Sequence, residues 1–205
     1  LGCLGNMKIF TRTGYGDSTR YFGGDNQSTP FCGLGQGSKA APASWIQLSS
    51  VIVNCFKAKG FGAKIKDPIT GEQSHTVGCL FVDDTDLYAM EEGRLDAEEA
   101  VIREAQDEID WWSWFLSATG GAIKAPKSFC YFLFYVCNQG VWSYKEVDDK
   151  LTVPMPEGGA VTLTACRPSH AEKGLGILTS PCGGHAAQLA SMRERVDSWT
   201  RKHHD

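Results

Sequence analysis

The stretch 78-GCLFVDDTDLYAM-90 decides the interpretation of this chain, because three aspartates interrupt an otherwise apolar sequence. Asp83 and Asp84 follow a run of strand-forming residues, and Asp86 comes just before a second such run. This pattern predicts a β-hairpin with the adjacent pair Asp83 and Asp84 at its tip. Neighbouring carboxylates repel each other unless a cation lies between them, and Mg²⁺ prefers hard oxygen ligands of this kind. A polar turn without a ligand is the alternative interpretation, since aspartate also favours turns.

Length, charge and cysteine usage narrow the class of protein. The 205 residues fit one domain, and no stretch has the roughly 20 apolar residues of a membrane span. A net charge of −4 argues against a dedicated nucleic-acid-binding module with a dominant basic face. None of the eight cysteines forms a C-x-x-C pair, which argues against a zinc site and predicts buried, reduced thiols in an intracellular protein.

Hydrophobic periodicity predicts an α+β fold. We expect helices over about 39–58, 96–118 and 184–202, and a short helix near 5–12. Strands are expected at 75–82, 86–90, 128–136, 140–147 and 160–165. On the first helix the residues that recur at helical spacing are Ala43, Ile46, Gln47, Ser50, Val51 and Cys55. The predicted apolar stripe of the second helix is Val101, Ala105, Ile109, Trp112, Phe115 and Leu116, and one face of the last helix carries Leu189, Met192, Val196 and Trp199. On the second helix, Glu98, Arg103, Asp107 and Glu108 are expected to face solvent.

Two further stretches have features of binding loops. In 33-GLGQGSKAAPASW-45, glycines permit close approach to a substrate, and the following helix start favours phosphate. The stretch lacks both the dinucleotide fingerprint and the P-loop pattern. In 120-GGAIKAPKS-128, Lys124 and Lys127 flank a proline. An ordinary loop and solvated lysines are the alternatives for these two stretches.

Taken in order, these blocks resemble the palm of a reverse transcriptase from a eukaryotic retroelement. The stretch 35-GQGS-38 with Pro42 resembles motif B, with Gly35 in place of the usual proline, and 81-FVDD-84 resembles the metal box of motif C. The stretch 121-GAIKAPKS-128 resembles motif D, and 174-GLGI-177 resembles the short motif E. The resemblance implies a partial polymerase palm, an antiparallel sheet with helices packed on one face, followed by the start of a thumb helix.

The resemblance also implies a function and a set of site residues. The activity would be RNA-directed DNA synthesis with two divalent cations, Mg²⁺ or Mn²⁺, on an RNA or DNA template with a primer and a deoxynucleoside triphosphate. Asp83 would be the main metal ligand and Asp84 its neighbour, while Lys127, or less favourably Lys124, would approach the triphosphate. The remaining contacts would come from Val82 near the primer end and from the pocket residues Gly35, Gln36, Gly37 and Ser38.

One block of the family pattern, the aspartate of motif A, is missing. Only Asp17 and Asp25 precede residue 33, and both lie in Gly/Ser-rich sequence. We therefore expect a fragment that begins after motif A and is inactive alone, with residues 1–32 leading into the palm, 33–177 forming it and 178–205 starting the thumb. A decayed or domesticated palm with a binding or structural role is one alternative. Another is an unrelated phosphoryl-transfer enzyme in which His75 or Asp86 supplies a further ligand.

Overall fold

Over the residues that the structure describes, the protein has a mixed α+β fold with three α-helices. The computed structural model describes residues 8–13, 16–23, 39–81, 84–91, 97–155, 158–174 and 176–202. The helices are α1 (Ala41–Lys59), α2 (Ala97–Ala118) and α3 (Ala186–Lys202). The strands are β1 (Lys8–Thr13), β2 (Gly16–Gly23), β3 (Ala63–Lys66), β4 (Gln73–Thr76), β5 (Gly78–Phe81), β6 (Asp84–Leu87), β7 (Phe129–Tyr131), β8 (Tyr135–Asn138), β9 (Val141–Tyr144), β10 (Thr152–Pro154), β11 (Ala160–Thr162), β12 (Thr164–Cys166), β13 (Glu172–Gly174) and β14 (Ile177–Thr179).

Within the described ranges, the strands form two-stranded sheets. Six are antiparallel hairpins of consecutive strands: β1–β2, β3–β4, β5–β6, β8–β9, β10–β11 and β13–β14. The seventh pairs β7 with β12 in parallel, so it joins segments more than thirty residues apart in the chain. The β8–β9 turn has Gln139 and Gly140 at positive φ, which matches the twist of a tight hairpin, and it lies where the strands expected at 128–136 and 140–147 meet.

Helix α1 begins and ends where its sequence predicts, but a different face is buried. Pro42 lies in the first turn, and Gly60 ends the helix in the left-handed conformation, donating its N–H to the last carbonyls. Ile52 and Phe56 are buried, whereas Ile46 is 63% exposed. The set that recurs at helical spacing does not mark the buried face, because apolar residues surround this helix and their periodicity does not select one side.

Helix α2 connects two hydrophobic cores. The first, which we call the helix–hairpin core, consists of Ile52, Phe56, Val77 and Trp112. Trp112 meets Phe56 edge-on, with ring centroids 6.1 Å apart. The second, which we call the strand core, consists of Ala125, Phe132, Leu151, Val153 and Leu163, and Ile102, Ala105 and Ile109 of α2 pack against it. The apolar stripe predicted for α2 is thereby confirmed at Ala105, Ile109 and Trp112.

A glutamine on α2 holds strand β10 in place. The Gln106 side chain accepts a hydrogen bond from the Thr152 backbone N–H at 2.8 Å and donates one to the Thr152 carbonyl at 2.9 Å. One amide therefore satisfies both backbone groups of a strand residue, as a neighbouring strand would.

Glu108 of α2 was predicted to face solvent, and that prediction is wrong. Its side chain is 1% exposed rather than facing solvent. The backbone N–H of Gly62, in the chain entering β3, lies close enough to the carboxylates of Glu108 and Glu104 to favour their charged forms and lower both pKa values somewhat. Glu108 Oε1 has no hydrogen-bond partner among the described residues. Burial, and then the nearby charge of Glu104, raise the pKa of Glu108 to about 8.

Several predicted elements change type or extent. Residues 8–13 form strand β1 rather than the end of a short helix. The expected strand at 128–136 is broken after β7, and the one at 160–165 is divided into β11 and β12. Helix α3 is confirmed, but its apolar side chains are half or more exposed: Leu189, Met192, Val196 and Trp199.

The six described cysteines are free thiols. Three are half-buried, whereas Cys79, Cys137 and Cys182 are exposed, contrary to the expected burial. Among the helices that the structure describes, none combines the length and hydrophobicity of a membrane span.

Candidate metal-binding hairpin

The aspartate-rich stretch forms the predicted hairpin. Strands β5 and β6 are antiparallel, with Phe81 opposite Asp84 and Cys79 opposite Asp86. The second strand begins at Asp84 rather than at Asp86, so both aspartates belong to the ladder. The preceding segment is divided at Val77, because β4 pairs with β3 while β5 pairs with β6.

The two faces of this hairpin have opposite character. Leu80 and Leu87 point to one side and pack against the helix–hairpin core formed with α1 and α2. Phe81, Asp84 and Asp86 lie on the other side and are exposed. This separation follows from the alternation of side chains along a strand. The hairpin therefore rests on helices with one face and presents two carboxylates on the other.

Gly78 is required by the close approach of the two strands. A Cβ atom at this position would overlap the Asp86 carbonyl oxygen and crowd the Leu87 backbone. The ladder continues past the strand end, because the Tyr88 N–H donates to the Val77 carbonyl at 2.9 Å. Close pairing at its base keeps the carboxylate-bearing strand in a fixed register.

The carboxylates of Asp84 and Asp86 lie close together without a basic partner among the described residues. Burial, and then the charge of Asp84, raise the pKa of Asp86. The Tyr88 hydroxyl donates to Cys79 Sγ at 3.4 Å, and this bond, with burial, raises the pKa of Tyr88 to about 12. Among the described residues, no lysine, arginine or histidine forms an ion pair with Asp84 or Asp86.

The lysine loop after α2 is anchored between the two cores. Ile123 packs against both of them, and Ala125 is buried in the strand core. Ala125–Lys127 forms a single 3₁₀ turn, which the Lys127 N–H closes by donating to the Lys124 carbonyl at 2.8 Å. Lys124 and Lys127 are both exposed. Alternating buried and exposed positions thus fix the backbone of the loop while leaving its ammonium groups in solvent.

The structure describes only part of the predicted site. Asp84, Lys124 and Lys127 are placed as described above. The predicted residues Val82, Asp83, Gly35, Gln36, Gly37 and Ser38 lie outside the described residues. The structure also shows two features that the motif analysis did not predict: Asp86 shares the exposed face with Asp84, and His75 Nε2 lies 2.6 Å from the Phe61 carbonyl oxygen.

The β5–β6 sheet has two strands in the described part of the chain. Within the described part of the chain, β5 and β6 pair only with each other, so each has an unpaired outer edge. Comparison with protein-family models, curated proteins and solved structures finds no match for this chain. The functional interpretation therefore rests on the sequence blocks and on the geometry of the hairpin.

Proposed function

We propose that this chain forms the palm portion of an RNA-directed DNA polymerase. The observation that carries the proposal is the two-faced β5–β6 hairpin, with Leu80 and Leu87 on the helices and Asp84 on the exposed side. A catalytic palm needs this arrangement, because its carboxylates must reach nucleic acid while the sheet beneath them stays rigid. The blocks that resemble motifs B and D, before and after the hairpin in the chain, support its assignment as the metal-binding motif C.

The residues fit a divalent cation. Asp84 is exposed and has no cationic partner among the described residues, so its oxygens are available to Mg²⁺ or Mn²⁺. Asp83, its neighbour in sequence, is the proposed main ligand. When bound, two such ions supply activation of the primer 3′-hydroxyl and stabilisation of the leaving pyrophosphate.

The other residues bind and orient substrates. Lys127, with Lys124 beside it, presents positive charge to the triphosphate from the anchored loop after α2. Gly35, Gln36, Gly37 and Ser38 form the nucleotide and template pocket in this proposal, and Val82 lies near the primer end. The substrates are a primed RNA or DNA template and a deoxynucleoside triphosphate.

A third carboxylate completes the proposed site. Two-metal sites hold both ions between several carboxylates, and motif A of the resembling family contributes one from a separate strand. The unpaired edges of β5 and β6 within the described residues provide a place where such a strand would pair. The chain on its own is accordingly proposed to lack polymerase activity.

Expression of the longest open reading frame that contains this sequence tests the proposal. We expect incorporation of deoxynucleotides on a primed RNA template in Mg²⁺ or Mn²⁺. Asp83→Asn should reduce this incorporation by orders of magnitude, while Asp86→Asn, two residues beyond the Asp83–Asp84 pair, should retain most of it. A reading frame without an apolar strand ending in aspartate upstream of residue 33 would contradict the polymerase assignment. Equal incorporation by the wild type and Asp83→Asn would contradict the assignment of the main metal ligand.

A further inference from the structure

Three side chains with different metal-binding atoms meet at the turn between β12 and β13. Cys166 ends β12, Glu172 begins β13, and His170 lies in the turn that joins them. Cys166 Sγ is 3.7 Å and His170 Nε2 is 3.2 Å from the same carboxylate oxygen, Oε1 of Glu172. The three atoms all lie within 4.8 Å of one another. One sulfur, one nitrogen and one oxygen donor therefore surround a common point.

These separations are close to those of ligands around one zinc ion. Bond lengths of about 2.3 Å to sulfur and about 2.0–2.2 Å to nitrogen or oxygen, at tetrahedral angles, place the ligand atoms roughly 3.4–3.6 Å apart. The two contacts to Glu172 Oε1 differ from this range by only a few tenths of an ångström. The third separation, between Cys166 Sγ and the His170 ring nitrogen, is within 4.8 Å, so rotation of the exposed His170 side chain would complete the coordination shell.

The backbone around the cluster is held by contacts from three directions. The His170 N–H donates to the Arg167 carbonyl at 2.8 Å and closes the turn. The Tyr131 hydroxyl donates to the His170 carbonyl at 3.1 Å, and the Cys182 N–H donates to the Pro168 carbonyl at 3.2 Å. Parallel pairing places Cys166 opposite Tyr131. A turn fixed in this way keeps its three ligands together before any ion binds.

We propose that Cys166, His170 and Glu172 form a zinc-binding site with an open fourth position. Thiolate and imidazole ligands select Zn²⁺ over Mg²⁺, so this site is chemically distinct from the carboxylates of the β5–β6 hairpin. Three protein ligands leave one coordination position for water or for a donor atom from a bound molecule. The side chain of His170 is 58% exposed and that of Glu172 is 34% exposed, so this position is accessible from solvent.

The competing interpretation is a surface ion pair beside a thiol. His170 and Glu172 satisfy the geometry of such a pair, and Cys166 reaches the same carboxylate. Exposed ion pairs contribute little to stability. This interpretation predicts that removing one member has no effect on metal content, because no metal binds.

Titration of the purified chain with Co²⁺ distinguishes the zinc site from the surface ion pair. Co²⁺ substitutes for Zn²⁺ and reports thiolate ligation by charge-transfer absorption. We expect saturation at one equivalent, loss of the absorption in Cys166→Ser, and at least about tenfold weaker binding in His170→Asn and Glu172→Gln. Cys137→Ser, at an exposed cysteine of β8, should bind like the wild type. Added Zn²⁺ should displace the Co²⁺.

Absence of the charge-transfer band in the wild type, or its persistence in folded Cys166→Ser, would overturn the proposal. If Cys166→Ser fails to fold, His170→Asn decides the result, because its side chain is mostly exposed and its loss leaves the cores intact. Wild-type Co²⁺ affinity in that variant would likewise overturn the proposed site.

Discussion

Replacement of Glu108 by glutamine should remove much of the pH dependence of stability. The side chain is 1% exposed, and burial, then the charge of Glu104, raise its pKa from 4.5 to about 8. The folded protein therefore holds this proton more tightly than the unfolded chain. The stability that the group contributes is complete below pH 4.5 and is lost as the pH rises through about 8.

The size of the effect follows from the two pKa values. Between pH 5 and pH 9 the protonated Glu108 loses about 4 kcal/mol of its contribution to the free energy of unfolding. The steepest part of this decline is about 1.4 kcal/mol per pH unit. Glutamine has a similar shape and keeps an acceptor for the Gly62 N–H, but it cannot ionise. The free energy of unfolding of wild type minus that of Glu108→Gln should therefore fall steadily across this range.

Urea unfolding at several pH values, followed by tryptophan fluorescence, measures this difference. Glu99→Gln is the matched control, because Glu99 is an exposed glutamate on the same helix. Its curve should run parallel to that of the wild type. The assignment of Glu108 as a buried protonated acid would be refuted if the free energies of unfolding of Glu108→Gln and the wild type changed in parallel with pH. It would also be refuted if Glu108→Gln became progressively less stable than the wild type towards high pH.

Three further substitutions test the contacts of the β5–β6 hairpin and of helix α2. Gly78→Ala should destabilise the protein by roughly 1–3 kcal/mol or more, because the added methyl group overlaps the Asp86 carbonyl; unchanged urea unfolding would contradict the close strand approach. Gln106→Ala should cost about 1–3 kcal/mol and increase amide exchange at Thr152, and normal exchange there would contradict the bridge to β10. Trp112→Ala should cost about 3–5 kcal/mol, and a loss below about 1 kcal/mol would argue against its place in the helix–hairpin core.

Local sequence predicted the elements whose contacts lie close together in the chain. Helix α2 and the β5–β6 hairpin were predicted because their apolar periodicity and turn residues are specified within one segment. The lysine loop was placed correctly after α2, but its anchoring by Ile123 between two cores depends on distant residues. The role of these elements in a polymerase stays a prediction.

The incorrect burial predictions have a common cause, which is packing against residues distant in the sequence. Glu108 lies on the expected polar face of its helix, but it is buried, and the Gly62 segment near it comes from more than forty residues earlier in the chain. Ile46 belongs to the set that recurs at helical spacing on α1, but it is exposed, because apolar residues on every side of that helix leave the choice of buried face to tertiary contacts.

The Cys166 cluster was missed for a different reason. A search for C-x-x-C spacing cannot find a site that draws one ligand each from a strand end, a turn and the next strand. The signal present in the sequence was the spacing C-x-x-x-H-x-E, together with a proline and a serine typical of a turn.

Divalent-cation binding by the 205-residue chain is the direct test of the metal site proposed at the β5–β6 hairpin. Mn²⁺ titration followed by electron paramagnetic resonance reports the free ion and so measures the bound fraction. We predict weak binding that is lost in Asp83→Asn and Asp84→Asn and retained in Asp86→Asn and in Cys166→Ser. Absence of Mn²⁺ binding would contradict a retained metal site in the hairpin. Binding lost in Asp86→Asn or His75→Asn but kept in Asp84→Asn would contradict the palm geometry.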